Sequence, residues 1–484
     1  MARLAVLPLT GRACWWETSH GSRLGDKMRE ISRDLISLRS LSLLFGVVFM
    51  ATLAQAQEGA PADAAPTEAV AEDAAPTEAA ADEAAPAEVA PADSAAEDAA
   101  PAETISVKAV IEEGASEASF AGRLAYLEDA SGELTIEKII EGADSVGFKA
   151  YEKPDESPNF GLNPSVHWFK VQIENLAETV QWVVEVDYSM LDTITFYAQG
   201  ADGSYAPQVS GDSEAFEGRY WEHRNPNFKV DIWQGDTAVV YLKVQTAGSL
   251  QLPLSIYSER TFGLRSMRDS LNLGLYFGIL IIMVLFNGLL FIPTKDTTYL
   301  QYVVFLTFFG LFDATLRGLG FAYLWPESPS FNNLFLLPFI FIALWGAVSF
   351  SRNYLNAVET SPKLDGFLKI VGVLLVVFTV AAFAAPYKYM IGGVILSVLV
   401  VCITLVILGF SSMSSGFPPA KFFLVAWGSF LFGVVLYALK TGGVLPSNAL
   451  TNSFFQIGST MLVTLLALGM RARFEFLRSS GLGR

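Results

Sequence analysis

Cysteine is almost absent: the 484 residues contain two, Cys14 and Cys402. Cys14 lies in a segment that the mature protein is expected to lack, and Cys402 sits in an apolar run. No internal disulfide is therefore available, and an exported domain must be held by packing alone. Histidine is scarce too, with only His20, His167 and His223. Two histidines in the exported part are too few to argue a metal site, so neither a metal nor another cofactor is expected. Charge is thin as well, at 17 % of residues, where soluble chains average about a quarter. No basic face exists that would release counterions from phosphates, which argues against a nucleic-acid partner. There is no phosphate-binding Gly-rich loop, no nucleophile elbow and no cytoplasmic histidine to accept a phosphate. Catalysis by this chain is not expected; it does not read as an enzyme.

What is abundant is apolar: 52 % of residues, concentrated after residue 270 in long runs without charge. That distribution points to a membrane and not to a large soluble core. The net charge of −17 has a local origin. Residues 57–104 hold thirteen Asp or Glu, no Lys or Arg, no aromatic residue, and a repeat of Ala65-Pro-Thr-Glu-Ala69 at Ala75-Pro-Thr-Glu-Ala79. Such a segment cannot bury enough surface to offset ordering entropy, so it reads as a disordered Ala/Pro/acidic linker. Before it, residues 28–56 read as a signal peptide. Arg29, Arg33 and Arg39 form the basic region, Leu41 to Leu53 the apolar one, and Ala54-Gln55-Ala56 the cleavage site. An uncleaved anchor is the alternative. Residues 1–27 add no signal feature and read as a non-native extension, with Met28 the real start.

From 105 to 262 short β-rich runs alternate with turn residues. Val166 to Ile173 places Phe169, Val171 and Ile173 on one face and Lys170 and Gln172 on the other. Trp182 to Val186, Thr193 to Tyr197, Ala238 to Val244 and Leu250 to Tyr257 are further candidate strands, with one short helix near Leu134 to Ile140. Turn signals at Gly200-Ala-Asp-Gly203 and Asn225-Pro226 punctuate them. Many short strands at this spacing predict an all-β sandwich.

Four segments carry a resemblance: His167-Trp168-Phe169-Lys170, Asp187-Tyr-Ser-Met-Leu-Asp192, His223-Arg224-Asn225 and Leu242-Lys-Val-Gln-Thr-Ala-Gly-Ser-Leu250. Over about residues 118–262 the chain resembles the periplasmic sensor domain of bacterial seven-transmembrane receptors with diverse intracellular signalling modules, the 7TMR-DISM family. The resemblance implies a jelly-roll-like sandwich, similar to carbohydrate-binding modules, that senses an extracellular small molecule, with a carbohydrate as one candidate class. His167 and Trp168 point to opposite faces of their strand, so at most one would line a ligand site. The plainer reading makes one a core residue and the other a solvated one. In Arg219-Tyr220-Trp221-Glu222-His223-Arg224, aromatic faces suit sugar rings and the Arg fork suits carboxylates. This makes Tyr220, Trp221, His223 and Arg224 candidate ligand residues. The plainer reading is an ordinary rim cluster.

Seven apolar stretches follow, about Leu271–Phe291, Tyr299–Leu319, Asn333–Phe350, Phe367–Ala385, Met390–Phe410, Phe422–Leu439 and Phe454–Met470. Each approaches the length needed to cross about 30 Å of hydrocarbon. They predict a helical membrane domain at 271–470 and a short cytoplasmic tail at 471–484. Signal and charge agree on topology: Lys295, Arg352, Lys363, Lys369, Lys421, Arg471, Arg473, Arg478 and Arg484 fall inside, with few basic residues outside apart from Arg265 and Arg268. Gly274-Leu-Tyr-Phe-Gly278, Tyr299-Leu-Gln-Tyr302, Tyr323-Leu-Trp-Pro326, Ala426-Trp427 and Gln456-Ile-Gly458 resemble the membrane domain of the same family. Polar residues within spans are few and often functional. Asp313 and Arg317 are four apart on the second span and share a face, as an ion pair that either only braces the bundle or also couples ligand binding to helix movement. Asn287 and Gln456 read as interhelical hydrogen-bond partners.

The expectation is thus an inner-membrane receptor passing a periplasmic signal through seven helices to a separate or lost cytoplasmic output module. The resemblance implies a kinase or cyclase as that partner, and a homodimer is one arrangement such signalling uses. The alternative is a transporter or accessory subunit with a ligand-capturing domain, which the absence of an inverted repeat disfavours. Beyond the surrounding lipid, no other partner is indicated.

Overall fold

A computed structural model of the chain describes residues 107–142, 147–151, 153, 156–200, 203–385, 387–441, 445 and 449–479. The expected extension, signal peptide and acidic linker, and the tail residues 480–484, lie outside the described residues.

The β-rich region folds into two facing sheets. The larger contains β1 (Lys108–Ile111), β3 (Ala125–Asp129), β4 (Lys149–Ala150), β6 (Val166–Asn175), β8 (Thr193–Gln199), β9 (Tyr205–Ser210) and β11 (Thr237–Gln245). Its order is β4-β3-β6-β11-β8-β9, with β1 running parallel beside the far half of β6. The smaller sheet has the order β10-β7-β13-β2, from β2 (Glu117–Ser119), β7 (Gln181–Val186), β10 (Asn227–Asp231) and β13 (Leu254–Ser258). A ribbon of β5 (Asn159–Leu162) and β12 (Ser249–Gln251) completes the set.

Alternation fixes which side chains meet between the sheets. Phe169 pairs with Leu242 and Val171 with Val240, while Leu242 also pairs with Phe196. These face Trp182, Val184, Val186, Phe228 and Ile256 in one dry core, where the Phe196 and Phe228 rings stack at 4.9 Å. The expected strand over Leu250 to Tyr257 is in fact two, β12 and β13, divided at Pro253. Proline has no N–H to give the ladder, and the chain changes sheets there. The outer face of the larger sheet is covered as well. Helix α1 (Ile136–Glu141) lays Ile136 and Ile139 against Val166, Trp168 and Tyr241.

β13 runs directly into the first membrane helix. Ser258 caps α2 (Glu259–Thr294), its hydroxyl accepting from the Thr261 N–H at 3.3 Å. Then come α3 (Thr297–Leu316), α4 (Pro329–Tyr354), the single turn α5 (Ala357–Thr360), α6 (Pro362–Ala381), α7 (Tyr387–Ser414), α8 (Ala420–Thr441) and α9 (Ala449–Ser479). Seven of these helices are long and apolar enough to cross a membrane. Side-chain hydrogen bonds stitch them together: Tyr276 of α2 to Ser459 of α9 at 2.9 Å, and Tyr302 of α3 to the Val463 carbonyl of α9 at 2.9 Å. Helices α8 and α9 approach closely at Gly433, where a Cβ would lie 2.6 Å from the Phe454 carbonyl oxygen. Small residues at such crossings allow the backbone contact that drives association in lipid.

Candidate functional site

The sandwich stands on the bundle, and the polar side chains gathered between them form the candidate site. The joint grows from three short pieces of sandwich: the end of β7 with the following turn (Glu185, Asp187, Ser189), the residues just after β9 (Asp212), and the loop from Arg219 to Asn225. On the membrane side it meets the first turns of α2, the end of α3 and the start of α4.

Phe262 of α2 is 1 % exposed and plugs the underside of the sandwich. Trp221 and His223 meet it edge-on at 5.6 and 5.3 Å, and the Tyr257 ring lies tilted against it at 6.2 Å. Around this plug lies a charged network. The Asn225 side-chain amide donates to Glu185 Oε1 and to Asp187 Oδ1, each at 2.8 Å. Arg265 of α2 lies 3.7 Å from Glu185 Oε2 and 3.5 Å from Asp187 Oδ2. Arg224 lies 3.8 Å from both Asp187 and Asp269 of α2. Burial, then the adjacent Asp187 carboxylate, raises the Glu185 carboxyl above its ordinary range despite the arginines. His223 goes the other way: burial and the Arg224 guanidinium push it down to about 3, so it stays neutral and its Nδ1 accepts from the Asn225 N–H at 3.3 Å.

A second set of contacts reaches α3 and α4. Ser189 donates to the Leu316 carbonyl at 3.1 Å, and Arg224 to the Arg317 carbonyl at 3.4 Å. These are end-of-helix carbonyls with no partner inside α3, so the sandwich caps the second span. Gly318 makes the approach possible. Its φ is +74°, and a Cβ there would sit 2.8 Å from the Arg224 carbonyl oxygen and 2.8 Å from Ser189 Cβ. Nearby, Asn333 of α4 donates to Asp212 at 3.4 Å and to Ser213 at 3.0 Å. Phe216 meets Phe321 edge-on at 5.5 Å, with the Arg219 guanidinium over both rings. Arg219 donates to the carbonyls of Gly211, His223 and Arg224, which fixes the loop's shape.

The candidates read from sequence therefore fall into three places. Trp221, His223 and Arg224 come together in the joint, and Tyr220 lies at its edge with its hydroxyl donating to Glu259. Their rings and guanidiniums are taken up by α2 and α3, a role that neither the ligand reading nor the plainer rim reading included. His167 and Trp168 lie elsewhere and both are buried, at 1 % and 0 % exposed. This corrects the expectation of one core and one solvated residue, because β6 is central in its sheet and both its faces are covered. His167 packs on Phe160 at 4.8 Å, and Trp168 stacks on Tyr197 at 5.8 Å. Within the bundle, Arg317 Nε donates to both Asp313 oxygens at 3.0 and 3.1 Å, and Asp313 is fully buried. The Asn287 amide donates to the Met283 carbonyl of its own helix at 2.8 Å, where a bond between helices was expected. Gln456 is buried on α9, one turn before the Ser459 that bridges to Tyr276.

With this arrangement in view, comparison with known families is decisive. Residues 269–473 match the family described as 7TM diverse intracellular signalling, and residues 121–258 match 7TMR-DISM extracellular 2. The chain belongs to the 7TMR-DISM family. No curated protein matches it. It is thus a multi-pass membrane protein of receptor type with an extracellular domain. Of the four sandwich segments that carry the 7TMR-DISM resemblance, three converge near the joint: Asp187 and Ser189, His223 to Asn225, and the Thr246–Gly248 turn, whose Ala247 N–H binds Asp192 at 2.7 Å.

Sequence reasoning missed Glu185, Ser189, Asp212, Arg265, Asp269, Gly318 and Asn333 as site residues. One signal was available. Glu185 is a lone carboxylate in the apolar run Trp-Val-Val-Glu-Val, and a buried charge of that kind needs a partner from another element. The others become meaningful only once the two halves are set together.

Proposed function

We propose that the chain is an inner-membrane receptor that senses a periplasmic, carbohydrate-like small molecule through its sandwich and passes the signal to a cytoplasmic kinase or cyclase module. The observation that carries this reading is the capping of the second span by the sandwich. The last turn of α3 offers its carbonyls to Ser189 and Arg224 and its side chains to the Asp313–Arg317 pair. A shift of the sandwich therefore acts on α3 directly. At the opposite end of α3, Asp296 caps the helix through the Thr298 N–H at 2.9 Å and holds Arg473 of α9 at 2.8 Å. A helix of 20 residues spans about 30 Å, so α3 links the joint to the far end of α9 as one rigid piece.

Charge supports the orientation: Lys295, Arg352, Lys363, Lys369, Lys421, Arg471, Arg473 and Arg478 lie at the end of the bundle away from the sandwich, as expected of a cytoplasmic side. The ligand class draws support from the outer face of the larger sheet. There Trp168, Tyr197, Tyr205 and Tyr241 cluster, with Lys243 5.5 Å from the Trp168 ring and Lys170 5.8 Å from the Tyr241 ring. Tyr197 and Tyr205 are partly exposed there, and aromatic faces suit sugar rings.

A thermal-shift screen of glycans on the full chain in nanodiscs tests the reading. A hit should raise the melting temperature, and Tyr205→Ala should abolish the shift. A ligand response that survives Asp313→Asn unchanged, together with a shift that survives Tyr205→Ala, would remove both ends of the proposed route.

A further inference from the structure

The joint crowds three carboxylates together, and one of them, Glu185, is buried on the sandwich side where it faces α2. Glu185, Asp187 and Asp269 face Arg224 and Arg265, while His223 is neutral, the Tyr257 ring lies under Arg265, and Arg268 beside Asp269 is exposed. Glu185 is 1 % exposed. Its Oε1 takes the Asn225 amide, but its Oε2 has no hydrogen-bond partner, and neither has Nε of Arg224 or Arg265 among the described residues. Arg265 Nε stops 3.7 Å from that oxygen, outside hydrogen-bond distance, so a charge on Glu185 is only partly compensated in its buried setting.

A second buried carboxyl lies at the other side of the joint. Asp212 is 2 % exposed and receives the Asn333 amide from α4 and the Ser213 hydroxyl. The charged and titratable groups around it are Asp192 and Tyr188 of the sandwich, Arg219 of the loop and Tyr387 of α7. Arg219 is turned toward three carbonyls and two rings, and leaves Asp212 without a direct ion pair among the described contacts. Each carboxyl sits in the sandwich and faces the bundle, so separating the two halves would return both to water.

We propose that the joint is a proton-binding latch: protons on Glu185 and Asp212 hold the sandwich docked on α2 and α4, and their loss loosens it. The sign follows from burial. Burial and the neighbouring Asp192 push the Asp212 carboxyl up to about 7, and burial with Asp187 raises Glu185 likewise. A carboxyl that holds its proton more tightly when docked favours docking fully below its ordinary range. That contribution is lost as pH rises through about 7. External acidity would then tighten the joint and alkalinity would free it, whatever ligand the sandwich takes. The inference goes beyond the receptor reading and stands on the joint alone.

Hydrogen exchange of the full chain in nanodiscs tests it, comparing wild type with Glu185→Gln/Asp212→Asn at the same pH so that intrinsic exchange cancels. At about pH 5.5 the wild type should exchange only moderately faster than the variant over residues 187–192, 211–225 and 316–325. At about pH 8.5 the wild type should exchange faster by about tenfold or more, since each pH unit between two pKa values is worth a factor of ten. Asp212→Asn alone leaves the Glu185 cluster intact and should remove part of the difference, which keeps the test valid if the double variant misfolds. A wild-type to variant ratio that does not change with pH, in both variants, overturns the latch.

Discussion

The core of the sandwich and the joint beneath it are buried to a similar degree and built of opposite materials. The core is apolar throughout, with Phe169, Trp182, Phe196 and Phe228 interlocked and fully enclosed. The joint encloses Glu185, Asp212, Arg219, His223 and Asn225, all of them buried, around the single plug of Phe262. Apolar burial is non-directional and gives a body that moves as a unit. A buried polar network depends on angles, distances and protonation, so small changes alter its balance. The contrast suits a sensor: a stiff domain set on a seat that can change state.

The largest effect expected is in the core. Phe196→Ala should destabilise the sandwich by about 3–5 kcal/mol through lost burial and a cavity, read by thermal melting of the full chain, and it should do so at every pH. A pH-dependent loss would mean that core and joint are not separate. Gly318→Ala comes next. It strains a positive φ and pushes a methyl into Ser189 and the Arg224 carbonyl, an effect of about 1–3 kcal/mol on docking. Exchange protection should fall at the joint while the strands of the core keep theirs. Tyr276→Phe removes the bond to Ser459 and should weaken the α2–α9 contact by about 0.5–1 kcal/mol in a melt of the full chain. Trp233, exposed at the end of the sandwich away from the bundle, sets the baseline: Trp233→Ala should shift stability by no more than about 0.5 kcal/mol.

Legibility in the sequence divides along the same line. β6, β7, β8 and β11 were readable because alternation is local, and the spans because twenty apolar residues leave few other readings. The Asp313–Arg317 pair was readable because a spacing of four fixes a shared helix face. The joint was not, because its parts come from residues as far apart as Asp187 and Arg265, or Ser189 and Leu316, and only the fold brings them together. The loop from Arg219 to Arg224 was singled out for its chemistry, but aromatic and arginine side chains serve a domain seat as well as they serve a ligand. Gly318 carried no local signal; its need for a positive φ arises from the sandwich pressing against it. The divided strand at Pro253 is a miss of a different kind, since proline in a strand pattern is itself a warning.

The central claim is that α3 carries movement of the joint to the far end of α9. Hydrogen exchange of the full chain in nanodiscs, compared between wild type and Gly318→Ala over residues 297–302 and 470–479, tests it most directly. The account predicts changed protection around the Asp296–Arg473 contact, at the opposite end of the bundle from the substitution. A change confined to residues 187–192 and 316–325, with the Asp296–Arg473 end unaltered, would contradict it.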